Sequence, residues 1–252
     1  MKIEDDSNPD RPLDRHEYKS FRGITGKLNW LQEITRPDLS FHSLQMSMKT
    51  RNATVSNVKK LNKIVRKAKE SESIVRFTRI DDFKNLKIVG LADASYRSQD
   101  EKVRSVEGRV IMLTNGIRVA PLCWKSKKIP EVCDSTKTAE TRACNKATDD
   151  AIFIARLIQE IYSGKKSMKQ IPVIMYSDSE PLIESIYSTR QVDRKTIRHL
   201  IQMLKDTLDN KQVDKFMWVE TAHMLADVLT KDSVKNDELV SILRSGKLPR
   251  RY

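Results

Sequence analysis

The sequence predicts an α/β fold, a mixed five-stranded sheet flanked by helices, with a helical segment at its N-terminal end. Three observations predict it. "LKIVGLADAS" and "IPVIMYSD" are short apolar runs of the kind found in strands buried on both faces. "GRVIMLTNGIRVAPLCW" reads as a hairpin turning at Asn115 and Gly116. The stretches around them carry helical periodicity, so helices pack on the sheet.

Taken in order, residues 1–15 are polar, contain Pro9 and Pro12, and are expected to be a disordered lead-in. Residues 16–82 form a helical segment. Thr35 is expected to cap its second helix and Pro37 to sit in that helix's first turn. In its third helix Val58, Leu61, Val65 and Ala68 make an apolar stripe. Lys59, Lys63, Arg66 and Lys67 fall largely off that stripe, either as a solvated face or as a contact for a nucleic-acid backbone. Residues 83–234 hold the strand, the hairpin, a long helix over about 136–162, the second apolar strand and helices near 180–188 and 194–209. A last strand, "KFMWVE", and a short helix in "HMLADVLTK" close that region. Residues 235–252 read as a basic tail.

With 252 residues and 38% apolar content, the chain is long enough to bury a core, and it has no apolar run long enough to span a membrane. The start "MKIEDDSNPD" lacks the apolar stretch of a secretory signal. Cys123, Cys133 and Cys144 form no C-x-x-C pair, which argues against a disulfide framework or zinc site and for a reducing compartment. The net charge of +13 favours a polyanionic partner, since each cation placed on a phosphate releases condensed counterions.

The two apolar strands raise a chemical question, because each ends on an acid, Asp93 and Asp178. Burying an unpaired carboxylate is costly. Asp178 could cap the helix that follows it, but Asp93 has no obvious following helix. On adjacent strands the two carboxylates would lie within a few ångströms and repel, unless a cation such as Mg²⁺ or Mn²⁺ lay between them. Glu140, in the expected first turn of the long helix, and Asp227, beside Leu225, Val228 and Leu229, extend the set. By spacing alone they are equally an ordinary helix-start acid and an exposed acid.

The series "LADASY", "PLCWKSKKIPEVCDSTKTAETRA", "MYSDSEPLIES" and "WVETAHMLADVLTK" resembles the ribonuclease H domain of copia-type retrotransposon Pol polyproteins. Upstream, "YKSFRGITGKLNWLQEITRPDLSFHSLQMSM" resembles the thumb- or connection-like segment that follows the polymerase palm in those polyproteins. The resemblance implies a ribonuclease H-like fold and a catalytic, metal-holding set of Asp93, Glu140, Asp178 and Asp227. It implies hydrolysis of the RNA strand of an RNA–DNA hybrid with two Mg²⁺ ions, or Mn²⁺ in their place. Lys125, Lys127 and Lys128 become candidates to hold phosphates, and the polymerase part of the polyprotein becomes a partner.

The implied location is intracellular and cytoplasmic, including a virus-like particle. Thr141 departs from the charged or aromatic residue usual after the helix motif. His223 stands four residues before Asp227, so the loop that carries a catalytic histidine in related enzymes is short here, and His223 is either that histidine or a capping or surface one. The pair Asp81–Asp82 lacks the sequence context of a polymerase turn. Two rival readings are a relic that binds hybrid without cutting it, and a transposase or integrase. The latter would need the order Asp, Asp, Glu.

Overall fold

The computed structural model describes residues 1, 7–70, 75–80, 85–96, 104–163, 170–190, 194–232 and 237–252. The chain divides into two compact units, Met1–Val75 and Arg76–Tyr252. Asp81 and Asp82 lie outside the described residues, as do the expected boundaries near 83 and 234.

The first unit is three helices, α1 (Arg15–Ile34), α2 (Ser40–Lys49) and α3 (Val55–Glu70). Asp14 starts α1 with a capping box. Its carboxylate accepts the amides of His16 and Glu17 at 2.7 and 2.8 Å, and Glu17 accepts the Asp14 amide at 3.0 Å. The lead-in differs from its expected disorder where it is described. The amides of Leu13, Val55 and Ser56 bond to the carbonyls of Ala53, Arg11 and Pro9, which ties residues 9–13 to the start of α3. Thr35 ends α1 rather than capping the next helix, and Pro37 opens a one-turn 3-10 helix, Pro37–Leu39. Phe21, Leu28, Leu39, Met46, Val58, Leu61 and Ile64 form the core of this unit. Lys59, Lys63, Arg66 and Lys67 are exposed.

The second unit holds the sheet. Its strands are β1 (Lys87–Ser95), β2 (Val106–Thr114), β3 (Val119–Lys128), β4 (Val173–Ser177) and β5 (Lys215–Trp218), in the order β3-β2-β1-β4-β5. β1, β2 and β3 are antiparallel neighbours, while β4 runs parallel to β1 and β5 parallel to β4. The expected five-stranded mixed sheet is therefore present. Gly116 turns the β2–β3 hairpin with φ +92°, a conformation that favours glycine.

Helix α4 (Thr136–Ser163) lies on one face of the sheet, and α5 (Glu180–Tyr187) and α6 (Lys195–Asp209) follow β4. Ala139, Ala143, Ala147, Ala151 and Ala155 recur at every fourth position of α4, and all are buried. This stripe of small side chains lets the helix approach Ile88, Ala92, Ala94 and Ile111 closely. Glu140 thereby falls in the second turn of α4 rather than the first.

Two further expectations are corrected. "HMLADVLTK" is no α-helix but a pair of 3-10 turns, Thr221–His223 and Asp227–Leu229. Met224 through Thr230 are all buried, and a regular helix would have turned part of that run to solvent. The expected basic tail contains α7 (Asp237–Ser245), which buries Leu239, Ile242 and Leu243. Its amphipathic pattern was masked by the flanking basic residues. Residues 76–80 also belong to this unit, with the Arg76 amide bonded to the Leu243 carbonyl at 2.9 Å.

Candidate metal centre

Parallel pairing of β1 with β4 matches Leu91 to Tyr176. Two residues further along come Asp93, still on β1, and Asp178, just past the end of β4, at the same level on neighbouring strands, which run about 4.8 Å apart. Because side chains alternate along β1, Asp93 points away from the α4 face occupied by Ala92 and Ala94. On that other side it meets the turn that carries Asp227. One carboxylate oxygen from each of Asp93, Asp178 and Asp227 lies within 4.8 Å of the others. Asp178 does not cap α5; Ser179 occupies that position.

Glu140 stands outside this trio but beside it. Its Oε2 accepts the Ala94 amide at 3.1 Å, just past Asp93. Asp93, Glu140 and Asp227 are buried, at 1%, 6% and 4% exposure, and Asp178 is partly buried. Burial pushes the Asp93 carboxyl up to about 7, with Asp227 and Asp178 adding to the rise while Lys231 and the Thr230 hydroxyl oppose it. Burial, then the charges of Asp93 and Asp178, hold Glu140 well above the usual carboxylate range. Asp178 is raised as well, chiefly by burial, against a hydrogen bond from Thr221. Buried acids of like charge at this spacing suit a cation.

The sheet itself positions the Asp227 turn. Asp93 pairs with Gly108 on β2, and Gly108 pairs with Ser126 on β3. A Cβ on Gly108 would stand 2.7 Å from Thr230 Cγ2, 2.8 Å from the Ala226 carbonyl oxygen and 2.9 Å from Leu229 Cβ. The missing side chain is what lets residues 226–230 lie against the sheet. Ser126 then donates to the Leu229 carbonyl at 2.5 Å, and Thr230 donates its hydroxyl to Asp93 Oδ2. On the other side, the Trp218 indole N–H donates to the Asp178 carbonyl at 3.2 Å.

The remaining candidates lie elsewhere. The His223 ring is 3.2 Å from Glu238 and 4.0 Å from Glu220, and the Tyr252 hydroxyl donates to its carbonyl. Lys127 and Lys128 are exposed at the end of β3, and Lys125 is half-buried. Lys59, Lys63, Arg66 and Lys67 belong to the other unit. Sequence reasoning missed Gly108, Ser126, Thr230 and Lys231. A glycine inside a strand was the available signal for the first; the others are ordinary polar residues whose partners are distant in sequence.

No protein-family model matches the chain. It is 25% identical over 219 residues to the retrovirus-related Pol polyprotein from transposon RE1 of Arabidopsis thaliana, and 24% identical over 219 residues to that from transposon RE2. Each match takes in 84% of this chain but spans only 14% of the relative. The secreted RxLR effector protein 161 of Plasmopara viticola is 27% identical over 135 residues, covering 53% of this chain and 90% of that protein. Among solved structures, the N-terminal RNase H domain of rv2228c from Mycobacterium tuberculosis is similar at 17% identity and a TM-score of 0.42, covering 64% of this chain and 97% of that one. LC11-RNase H1, solved in complex with an RNA/DNA hybrid, is similar at 18% identity and a TM-score of 0.42, covering 57% and 93%. Over most of its length the chain is thus similar in sequence to retrovirus-related Pol polyproteins of transposons, and its second unit holds the five-stranded mixed sheet that the sequence predicted.

Proposed function

We propose that the Arg76–Tyr252 unit is a metal-dependent ribonuclease that hydrolyses the RNA strand of an RNA–DNA hybrid, and that the chain works beside the polymerase part of a retrotransposon polyprotein. The observation that carries this reading is the trio of Asp93, Asp178 and Asp227, with oxygens within 4.8 Å of one another and Glu140 alongside. An all-carboxylate donor set fits Mg²⁺, with Mn²⁺ as a substitute, better than it fits softer metals. Asp93, Asp178 and Asp227 would hold the ions, with Glu140 joining from α4. When bound, two such ions supply a water of lowered pKa and stabilise charge on the phosphate and leaving oxygens.

The chain's own residues do the positioning. Thr230 orients one oxygen of Asp93, the Ala94 amide holds Glu140, and Trp218 steadies the backbone at Asp178. Lys125, Lys127 and Lys128 are offered as phosphate contacts, and the exposed cations of α3 as a second, separate contact. Recognition would rest on helix shape, phosphates and 2′-hydroxyls rather than on base edges. His223 enters only as a residue flanking Asp227, with its ring engaged by Glu238 and Glu220.

The test is incubation of a hybrid, labelled on either strand, with Mg²⁺, Mn²⁺ or EDTA. The expected result is metal-dependent fragmentation of the RNA strand with the DNA strand intact. Asp178→Asn should retain the fold and lose more than the roughly 10–100-fold that altering a metal-supporting group typically costs. Cutting by that variant at the parental rate, or hybrid binding with no cutting under any metal, sinks the proposal.

A further inference from the structure

Lys231 reaches the same carboxylates that a metal ion would use. Its Nζ lies 2.7 Å from Asp227 Oδ1 and 3.5 Å from Asp93 Oδ1. Its backbone amide is fixed to the Asp227 carbonyl at 3.0 Å, so the lysine is anchored one turn beyond the acid it contacts. Asp93, at 1% exposure, has the Thr230 hydroxyl and this ammonium as its described side-chain partners. The Lys231 side chain is 34% exposed, so it has a route out to solvent.

We infer that Lys231 is a tethered competitor of the metal: its ammonium and a divalent ion need the same oxygens of Asp93 and Asp227, so the ion enters as Lys231 swings out. This inference rests on the proposal that the acid trio is a metal site. The exchange is favourable in that direction because one ammonium leaves the acids with excess negative charge. A dication brings twice the charge and bonds directly at about 2.0–2.1 Å. The cost of displacing Lys231 makes the apparent metal affinity weaker than the acids alone would give. In return, the acids have a counter-charge before metal arrives, which limits the penalty of burying them.

The experiment measures Mn²⁺ binding by calorimetry and thermal melting in the full chain, for the parent, Lys231→Met and Lys231→Arg. Lys231→Met keeps much of the apolar stem and removes the charge. It is expected to bind Mn²⁺ about tenfold more tightly, to melt lower than the parent in EDTA, and to gain more from saturating Mn²⁺. Lys231→Arg, which keeps the charge, should stay near the parent in all three. Unchanged or weaker Mn²⁺ binding by Lys231→Met overturns the inference. Absence of Mn²⁺ binding in the parent and in every variant instead removes the metal site itself.

A second measurement uses the unmodified protein and so does not depend on the variants folding. Acetylation of Lys231 by acetic anhydride, followed by mass spectrometry, should rise several-fold at saturating Mn²⁺ while lysines on α3 stay constant. An unchanged or reduced rate at Lys231, in a protein shown to bind Mn²⁺, overturns the inference.

Discussion

At Asp93 a single side chain answers to three elements at once: its own strand β1, the turn bearing Thr230 and Asp227, and Asp178 past the end of β4. Burial raises its pKa from the ordinary 3.8 to about 7. Between those two values the folded protein holds more protons than the unfolded chain, so metal-free stability falls as pH rises through the interval. The contribution is least unfavourable below about pH 4 and fully unfavourable above about pH 7, at about 1.4 kcal/mol per tenfold change in proton affinity. Asp93→Asn removes the group concerned. In EDTA its melting temperature should therefore gain on the parent's from about pH 4 to pH 7 and level off above that, by the equivalent of a few kcal/mol. A difference between the two proteins that stays flat across that range contradicts the placement of Asp93.

This residue was legible in the sequence, because a carboxylate closing an otherwise apolar strand conflicts with burial unless something offsets its charge. Lys231 was not. A lysine four residues after an aspartate is common on protein surfaces, and only the approach of β1 gives it a second, deeply buried partner.

At the level of elements, the sheet and one turn decide the site together. The row Asp93–Gly108–Ser126 crosses β1, β2 and β3, and residues 226–230 dock onto its middle position. Gly108→Ala would place a methyl group within 3 Å of the Ala226 carbonyl, which is backbone and cannot rotate away. The turn must then lift, with a stability loss of about 1–3 kcal/mol, as expected for overpacking. Because Asp227 rides on that turn, Mn²⁺ affinity should fall as well, even at temperatures where the variant is fully folded. Parental Mn²⁺ affinity in a folded Gly108→Ala protein would show that the turn is not held in this way. The two 3-10 turns around His223 and Asp227 were misread as one helix for a related reason. The run from Met224 to Thr230 is buried throughout, so no periodic polar face distinguishes helix from turn.

Across the molecule, the chain is two units with separate cores and a net charge of +13. The cations of α3 belong to the first unit and those at the end of β3 to the second. A fragment spanning Arg76–Tyr252 contains the complete sheet, all four acids and α7, and should fold on its own. If α3 engages phosphates, the fragment should bind hybrid more weakly. The logarithm of its binding constant should also fall less steeply with the logarithm of salt, by about 0.9 for each duplex phosphate that α3 would have neutralised. An unchanged slope would make the exposed cations of α3 a solvated face only. An insoluble fragment beside a soluble full chain would contradict the independence of the two cores.

The order of the strands along the chain and the two acids that close apolar strands, Asp93 and Asp178, are matters of local pattern that the amino-acid order was enough to specify. Glu140 and Asp227, by contrast, stood out only through the family resemblance of their motifs. Burial, periodicity and charge each leave a mark within a few residues. Which distant groups meet was settled only by the packing of the elements. Parallel pairing of β1 with β4 sets Asp93 level with Asp178, and the absent side chain of Gly108 admits the Asp227 turn. Packing of that turn then brings Thr230 and Lys231 onto an acid more than 130 residues earlier in the chain. α7 carried a local amphipathic pattern that its basic surroundings obscured, and the fold shows it packed against β3. Meetings of this kind depend on the space between elements, and a one-dimensional pattern does not record that space.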